Sequence, residues 1–181
     1  MRRLVWLLVL VLAPGVAPAL EIREASHLWL DDTTLLARLD LDMALPEVLV
    51  DALENGVTLG FRLEAQAEPD RMLPGRPLVR AENRVQLRYY PLNRHYLVTS
   101  RDGERMELRP TLGDALEQSA RRLGRIRLEN VPEGLREAPG DHRLNARLSL
   151  DYTALPLPLQ LDAGLRGELT ARQEWYGWSL D

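Results

Sequence analysis

The chain contains no cysteine and no lysine, and each absence narrows what it can be. Without cysteine it can have no disulfide bonds, no thiolate metal ligands and no thiol nucleophile, so thiol catalysis and redox roles are excluded. Stability has to come from burial of apolar surface and from sheet pairing. All 23 basic residues are arginine, which we attribute mainly to the base composition of the genome.

Long apolar runs are also missing, apart from Leu4–Leu12 near the N-terminus. This run of about nine residues is too short for a membrane-spanning helix, which needs about 20. Arg2 and Arg3 precede it, and the small residues of Ala17-Pro18-Ala19 follow it. This order of positive, apolar and small residues is typical of a secretory signal peptide.

Residues 1–19 are therefore predicted to be a signal peptide that is cleaved after Ala19. No cysteine follows the apolar run, so a lipoprotein anchor is excluded. Residues 20–181 are expected to form a single domain that works in the periplasm, without a transmembrane segment after the leader.

Charge is distributed unevenly over the expected mature chain. Residues 20–75 carry 4 Arg and 12 acidic residues, residues 76–127 carry 12 Arg and 6, and residues 128–181 carry 5 Arg and 9. The overall negative charge does not favour nucleic-acid binding. The basic middle has two interpretations. In the first, folding places residues 76–127 beside the acidic segments, so that the charges balance across neighbouring strands. In the second, the arginines of this segment form a surface for an anionic partner.

Alternation of apolar and polar residues predicts β-strands, most clearly over residues 34–43, 57–66, 79–89 and 143–152. Such alternation is typical of antiparallel sheets with one buried and one solvated face. About nine strands predict a mainly β fold, an antiparallel β-sandwich that is immunoglobulin-like in architecture, with a small closed β-barrel as the alternative. The further strands are predicted over residues 21–30, 95–100, 105–109, 125–129 and 168–179.

Two short helices are predicted between the strands. The first covers residues 46–54 and ends at Asn55-Gly56. The second covers residues 112–123, with Thr111 as its N-cap and Gly124 as its stop signal. Both have an apolar stripe at helical spacing, so both are expected to pack on the sheets as surface helices.

Turn signals divide the remaining segments. Residues 67–77 and 131–141 are rich in proline, glycine and charge, and are expected to be exposed loops. The dipeptide Asp102-Gly103 suits a two-residue type I′ turn, so residues 96–109 are predicted to form a hairpin.

Five segments in order along the chain resemble a family of exported proteobacterial proteins, the domain-of-unknown-function family 4390. The resemblance covers most of the chain after the leader, and the ordered set is more specific than any single segment. It implies an exported protein without an assigned activity, and it transfers no catalytic residues. The segments are NGVTLGFRLE from Asn55, LRYYPLNRHYLVTS from Leu87, TLGDALEQSARRLG from Thr111, LSLDYTALPLPLQL from Leu148 and EWYGW from Glu174.

The chemistry-bearing residues form no recognisable catalytic or metal-binding motif. His27, His95 and His142 are isolated in sequence, without the spacing of a zinc site. No serine lies in a G-x-S-x-G context, and no glycine-rich phosphate loop is present. Asp40 and Asp42 share one face of a predicted strand, where we expect a solvated surface paired with arginines of a neighbouring strand. We therefore predict no catalytic, cofactor or metal residue, and no enzyme.

A candidate interaction surface is predicted from arginines and aromatic residues. Trp175 and Tyr176 are neighbours on a strand, so they point to opposite faces and at least one lies outside the core. The alternative is that the C-terminal aromatic residues pack as a small satellite cluster under a helix or loop. The predicted surface consists of Arg80, Arg84, Arg88, Trp175, Tyr176 and Trp178.

Three functional hypotheses follow. The leading one is a non-enzymatic protein-interaction module that presents an edge strand or its arginine-rich face to another envelope protein. The second is a periplasmic binding domain with an apolar cleft between its sheets for a lipid or small hydrophobic ligand. The third is a hydrolase whose site is assembled from residues distant in sequence.

Overall fold

The computed structural model describes residues 20–70, 76–100, 103, 105–151 and 175–180. The predicted signal peptide and its cleavage site lie outside these ranges. None of the helices within them has both the length and the apolar composition that crossing a bilayer requires.

Nine strands are found among the described residues, as the alternation predicts. Where a predicted strand is described along its whole length, its bounds agree to within a few residues. Of the strand predicted over residues 168–179, only the last part is described. The strands are β1 (Leu20–Trp29), β2 (Leu35–Met43), β3 (Leu59–Pro69), β4 (Val79–Tyr90), β5 (His95–Ser100), β6 (Met106–Arg109), β7 (Arg125–Leu128), β8 (His142–Leu150) and β9 (Tyr176–Ser179).

These strands form two antiparallel sheets in a sandwich-like arrangement, which confirms the predicted fold class. The small sheet has the order β1-β2-β7, and the large sheet has the order β6-β5-β4-β3-β8-β9. Among the described strands neither sheet closes on itself, so the alternative of a closed barrel is wrong. The predicted hairpin over residues 96–109 is confirmed as β5 and β6, and Gly103 has the positive φ of 68° that a tight turn needs. Asp102 lies outside the described residues, so the turn type stays a prediction.

Both predicted helices are present, as α1 (Glu47–Glu54) and α2 (Leu112–Leu123). The Thr111 hydroxyl accepts a hydrogen bond from the Asp114 backbone amide at 3.1 Å, which caps α2 as predicted. Helix α2 packs against β2 of the small sheet and against β4 and β5 of the large sheet. It therefore lies along one side of the sandwich and links the two layers.

A third helix, α3 (Gly134–Glu137), and a 3-10 turn at Pro139–Asp141 occupy the segment that was expected to be a loop. That expectation was wrong because a single turn of helix has too few apolar residues to create a periodic pattern. Only Leu135 marks it, and this side chain is buried. The loop predicted from residue 67 also begins later, since β3 continues to Pro69 in register with β8.

The core consists of the inward positions that the alternation predicts. Leucines dominate it, and Phe61, the only phenylalanine in the chain, lies at its centre without solvent exposure. The inward residues of both sheets and of α1 and α2 belong to one contiguous cluster. Burial of apolar area on this scale is the main source of stability in a chain without disulfide bonds.

Gly124 follows α2 with a φ of −67°, so it does not adopt the left-handed conformation of a typical helix stop. Its role is close packing. A Cβ atom at this position would lie 2.3 Å from the Leu39 carbonyl oxygen, and the Gly124 carbonyl accepts a hydrogen bond from the Leu39 amide at 2.8 Å. Only glycine allows β2 to approach the end of α2 this closely.

Candidate functional site

The outer face of the large sheet carries ion pairs between strands that are distant in sequence. The Arg147 guanidinium on β8 donates to Glu64 on β3 at 2.5 and 3.1 Å. Arg62 lies 3.2 Å from Asp151, and Arg84 lies 3.8 Å from the same carboxylate. Two of these pairs join the acidic flanks to each other, and only Arg84 comes from the basic middle, where it meets an acid of the C-terminal flank. Balancing of the basic middle across strands is therefore supported at Arg84.

The three predicted surface arginines lie on this outer face of β4, but each has a partner. Arg80 donates to the Gln66 side chain at 3.0 Å, and Arg88 donates to the Thr58 hydroxyl at 3.1 Å. Arg84 forms its main ion pair with Glu82, which raises its pKa. Arg88 lies at the far end of the strand from Arg80, so the three side chains form a row along β4 rather than a cluster.

Of the predicted aromatic residues, Tyr176 and Trp178 lie on β9, and Trp175 is the residue directly before it. Trp175 lies on the outer side, with the Arg147 guanidinium 4.6 Å from its ring centroid. Tyr176 and Trp178 pack against the core, and their ring centroids are 6.3 Å apart. Trp175 and Tyr176 therefore point to opposite sides, as expected for neighbours in extended chain. The six predicted residues do not form one surface.

The histidines bond to backbone groups in separate places. The ring of His142 lies 2.8 Å from the Ala138 carbonyl oxygen, and that of His95 lies 2.5 Å from the Asn93 carbonyl oxygen. Burial lowers the pKa of His27, while a hydrogen bond with the Leu180 backbone acts in the opposite direction. Within the described ranges, no three histidine or acidic side chains converge in a way that could hold a metal ion.

Three acidic residues in or next to the small sheet have structural partners. Asp42 on β2 pairs with Arg23 on the neighbouring β1, as expected for a solvated outer face. The Asp31 carboxylate accepts the Thr33 amide at 2.8 Å, and this hydrogen bond lowers the pKa of Asp31. Asp32 pairs with Arg136 of α3.

An exposed apolar patch lies at the β6 end of the large sheet. Met106 is 66% exposed and Leu108 is 52% exposed, and both point to the outer face. Leu108 lies opposite Leu97 of β5, and Tyr90 at the end of β4 lies opposite His95 in the next cross-strand row. We call Met106, Leu108, Leu97 and Tyr90 the β6 patch.

The sequence does not reveal this patch, because β6 points its apolar side chains to the solvent and its charged side chains to the inner side, the reverse of an ordinary amphipathic strand. Its charged residues, Glu107 and Arg109, point to the inner side, where α2 supplies polar partners. The Arg122 guanidinium donates to the Glu107 carboxylate at 2.6 Å, and the Gln118 amide donates to it at 3.2 Å. The hydrogen bond from Arg122 lowers the pKa of Glu107.

Next to Glu107, a cleft of about 800 Å³ lies between β4, the end of β5, β6, α2 and the start of β7, and residues from both faces of β4 contribute to it. Two acidic residues, Glu82 and Glu107, contribute to its walls. Five arginines line it together with Asn83: Arg84, Arg105, Arg121, Arg122 and Arg125.

Asn83 organises the base of this cleft. It occupies an inward position of β4, and its side-chain amide donates to the carbonyl oxygens of Leu123 at 3.1 Å and Arg125 at 2.8 Å. These carbonyls belong to the end of α2 and to β7, where helical hydrogen bonding stops. The signal for it in the sequence is a single polar residue in the apolar phase of β4.

A family model described as a domain of unknown function (DUF4390) matches residues 17–179. No curated protein and no solved structure matches the chain significantly. The five segments that carry the resemblance all begin and end within the matched range. Because the match covers nearly the whole chain, the chain belongs to the DUF4390 family.

Proposed function

We propose that this chain is an exported, non-enzymatic interaction module of the cell envelope, and that it binds an extended segment of another envelope protein along β6. Export is supported by the order of positive, apolar and small residues in residues 1–19. The single observation that carries the interaction is the exposure of Met106 and Leu108 on a terminal strand of the large sheet.

A terminal strand can accept a further strand through its backbone groups. Natural sheets usually protect such strands with lysine, proline or inward-pointing charges. Here the inward charges Glu107 and Arg109 are present, but the outward side chains are a methionine and a leucine. An added strand would gain main-chain hydrogen bonds from the edge and apolar contacts from the β6 patch, which is the geometry of strand addition.

The charge around the patch favours an acidic partner segment. Arg88 lies in the same cross-strand row as Leu97 and Leu108. Arg94, in the exposed turn between β4 and β5, lies beyond Tyr90. An extended segment that alternates apolar and acidic residues would match both the apolar row and these guanidinium groups.

The hypothesis of an apolar ligand site between the sheets has less support. Three clefts among the described residues all include charged side chains, Arg121 among them, in their lining. The inward leucines of the two sheets instead pack against each other in one cluster. These features favour a protein surface over a lipid pocket.

Photo-crosslinking in intact cells tests the proposal. A photoreactive amino acid at position 106 or 108 is expected to capture a discrete envelope protein. The matched control is position 28, because Leu28 is also an exposed leucine on a terminal strand but lies in the small sheet, with 48% exposure. No adduct at 106 or 108, in cells where a known envelope complex crosslinks normally, would contradict the proposal.

A double substitution separates binding from folding. Met106→Glu with Leu108→Glu places like charges against an acidic partner and is expected to abolish the adduct formed from position 97. Leu28→Glu is expected to leave that adduct unchanged. Both variants alter exposed positions, so their unfolding midpoints should stay near that of the parent protein. Equal loss of the adduct in both variants would rule out a specific site at β6.

A further inference from the structure

We propose that the arginine-rich cleft between α2, β4 and β7 is a binding site for phosphate groups. This site is independent of the β6 patch, because the two use opposite sides of β6. Glu107 points into the cleft, whereas Met106 and Leu108 point away from it.

The acidic residues of the cleft are already engaged by arginines that have structural roles. Glu107 is bonded by Arg122, Arg109 and Gln118. Glu82 is paired with Arg84. Among the described lining residues, both carboxylates therefore have arginine partners other than Arg105, Arg121 and Arg125.

Three lining arginines remain for a ligand. The guanidinium groups of Arg105 and Arg125 make no hydrogen bond or ion pair with any described residue. Arg121 pairs only with Glu117, at 2.9 Å, and both side chains are exposed. Exposed pairs of this kind contribute about 1 kcal/mol or less, so Arg121 can exchange its partner at low cost.

Arg125 has a like-charged neighbour in the small sheet. It lies directly opposite Arg38 in the β2–β7 ladder. Like charges directly opposite each other on antiparallel strands destabilise the sheet. Arg121 and Arg125 also line a second, smaller cleft together with Arg38, so all three surround the same end of the small sheet. The carboxylates of Glu24 and Asp40 line this smaller cleft as well and offset part of the repulsion, so an anion would act mainly in the larger cleft, where Arg121 and Arg125 meet it.

The floor of the cleft is held in place before any ligand arrives. The Arg122 side chain is only 11% exposed, and its Nη1 donates to the carbonyl oxygen of Arg105 at 2.8 Å and to that of Val98 at 3.3 Å. The Asn83 side-chain amide donates to the Arg125 carbonyl oxygen at 2.8 Å and so holds the backbone of Arg125 in place. The backbones of two ligand-facing arginines are therefore tied to rigid elements, which lowers the entropy cost of binding.

Phosphate is the anion that this arrangement suits. Guanidinium groups bind phosphate oxygens through paired, charge-assisted hydrogen bonds, and several of them match a multiply charged ligand. The cleft volume of about 800 Å³ is large enough for a phosphorylated small molecule or for a phosphate headgroup of a lipid. Both sources present the same phosphate chemistry to the arginines.

Calorimetric titration of the purified protein with pyrophosphate tests the site. Saturable binding is expected, and Arg105→Gln and Arg125→Gln are each expected to weaken it about tenfold. The matched control is Arg136→Gln, which removes the same charge from an exposed arginine on α3. Absence of binding in the parent protein, or equal weakening by the control substitution, would overturn the proposal.

Two further experiments, vesicle sedimentation and thermal unfolding, identify the source of the phosphate and exclude general ionic effects. Sedimentation with phosphatidylglycerol vesicles that is lost in Arg125→Gln would assign the lipid headgroup, while binding of pyrophosphate alone would assign a soluble compound. Pyrophosphate is expected to raise the unfolding temperature of the parent protein but not of Arg125→Gln. An equal rise in the unfolding temperature of the parent protein with sodium chloride at the same ionic strength would overturn the proposal.

Discussion

The side-chain amide of Asn83 lies 2.8 Å from the carbonyl oxygen of Arg125, and this contact joins the large sheet to the small one. The same amide group also reaches Leu123 at the end of α2. One polar side chain thus satisfies the carbonyl groups where the helix stops and the next strand starts.

Asn83→Ala is expected to lower the free energy of unfolding by about 1–3 kcal/mol, because it leaves partly buried carbonyl oxygens without a donor. Urea unfolding followed by circular dichroism measures this change. Gln86→Ala, at an exposed outward position of the same strand, is the control and should have little effect. Equal stability of the two variants would show that the Asn83 contacts do not matter.

Gly124→Ala is expected to destabilise the fold by about 2–3 kcal/mol, because the added methyl group would overlap the Leu39 carbonyl oxygen. Gly134→Ala is the matched control, since a Cβ atom there meets nothing within 4 Å. It should stay within about 1 kcal/mol of the parent protein. Chemical denaturation of both variants measures the difference, and a tolerated alanine at 124 would contradict the close packing of β2 on α2.

Glu107 makes stability depend on pH in a defined direction. Its pKa in the folded protein is lowered from 4.5 by the hydrogen bond from Arg122. The carboxylate therefore stabilises the fold above about pH 4.5, and this contribution is lost as the pH falls through the lowered folded-state pKa. Because the side chain is 38% exposed, we expect less than about 1 kcal/mol.

Glu107→Gln is accordingly expected to be less stable than the parent protein at neutral pH and to approach it in acid. Unfolding free energies measured across this range provide the test. Glu117→Gln is the control, because its partner Arg121 is far more exposed than Arg122. A stability difference for Glu107→Gln that does not change with pH would contradict the assignment to charge.

Export predicts a specific N-terminus. In a bacterial host, the chain recovered from the periplasm should begin at Leu20, as N-terminal sequencing would show. Ala19→Arg should block cleavage, because the peptidase requires a small residue at this position. Recovery of only the uncleaved parent chain from the cytoplasm would contradict export.

Much of the fold could be predicted because burial leaves a direct trace in the sequence. Leu35, Leu59 and Leu144 follow the period-two pattern, and all three are fully buried. The bounds of α2 could be predicted because Thr111 and Gly124 stand at its ends. In each case a local physical preference agrees with the tertiary structure.

The candidate sites could not be predicted in the same way. Alternation shows which side chains share a face, but it does not show which strands pair or what lies over each face. The sequence predicts an ordinary strand around Met106 and Leu108, and their exposure follows from the packing of α2 on the opposite side. The cleft depends on Arg105 and Arg125 meeting across elements, which no local pattern encodes.

The pairing of β3 with β8 has a consequence for the timing of assembly. Pro69 of β3 meets His142 of β8, and Leu35 of β2 meets Leu128 of β7, so each layer receives a strand from the last third of the chain. Long-range pairing of this kind slows folding. Under the proposed export, the chain would therefore cross the membrane unfolded and would form both sheets only afterwards.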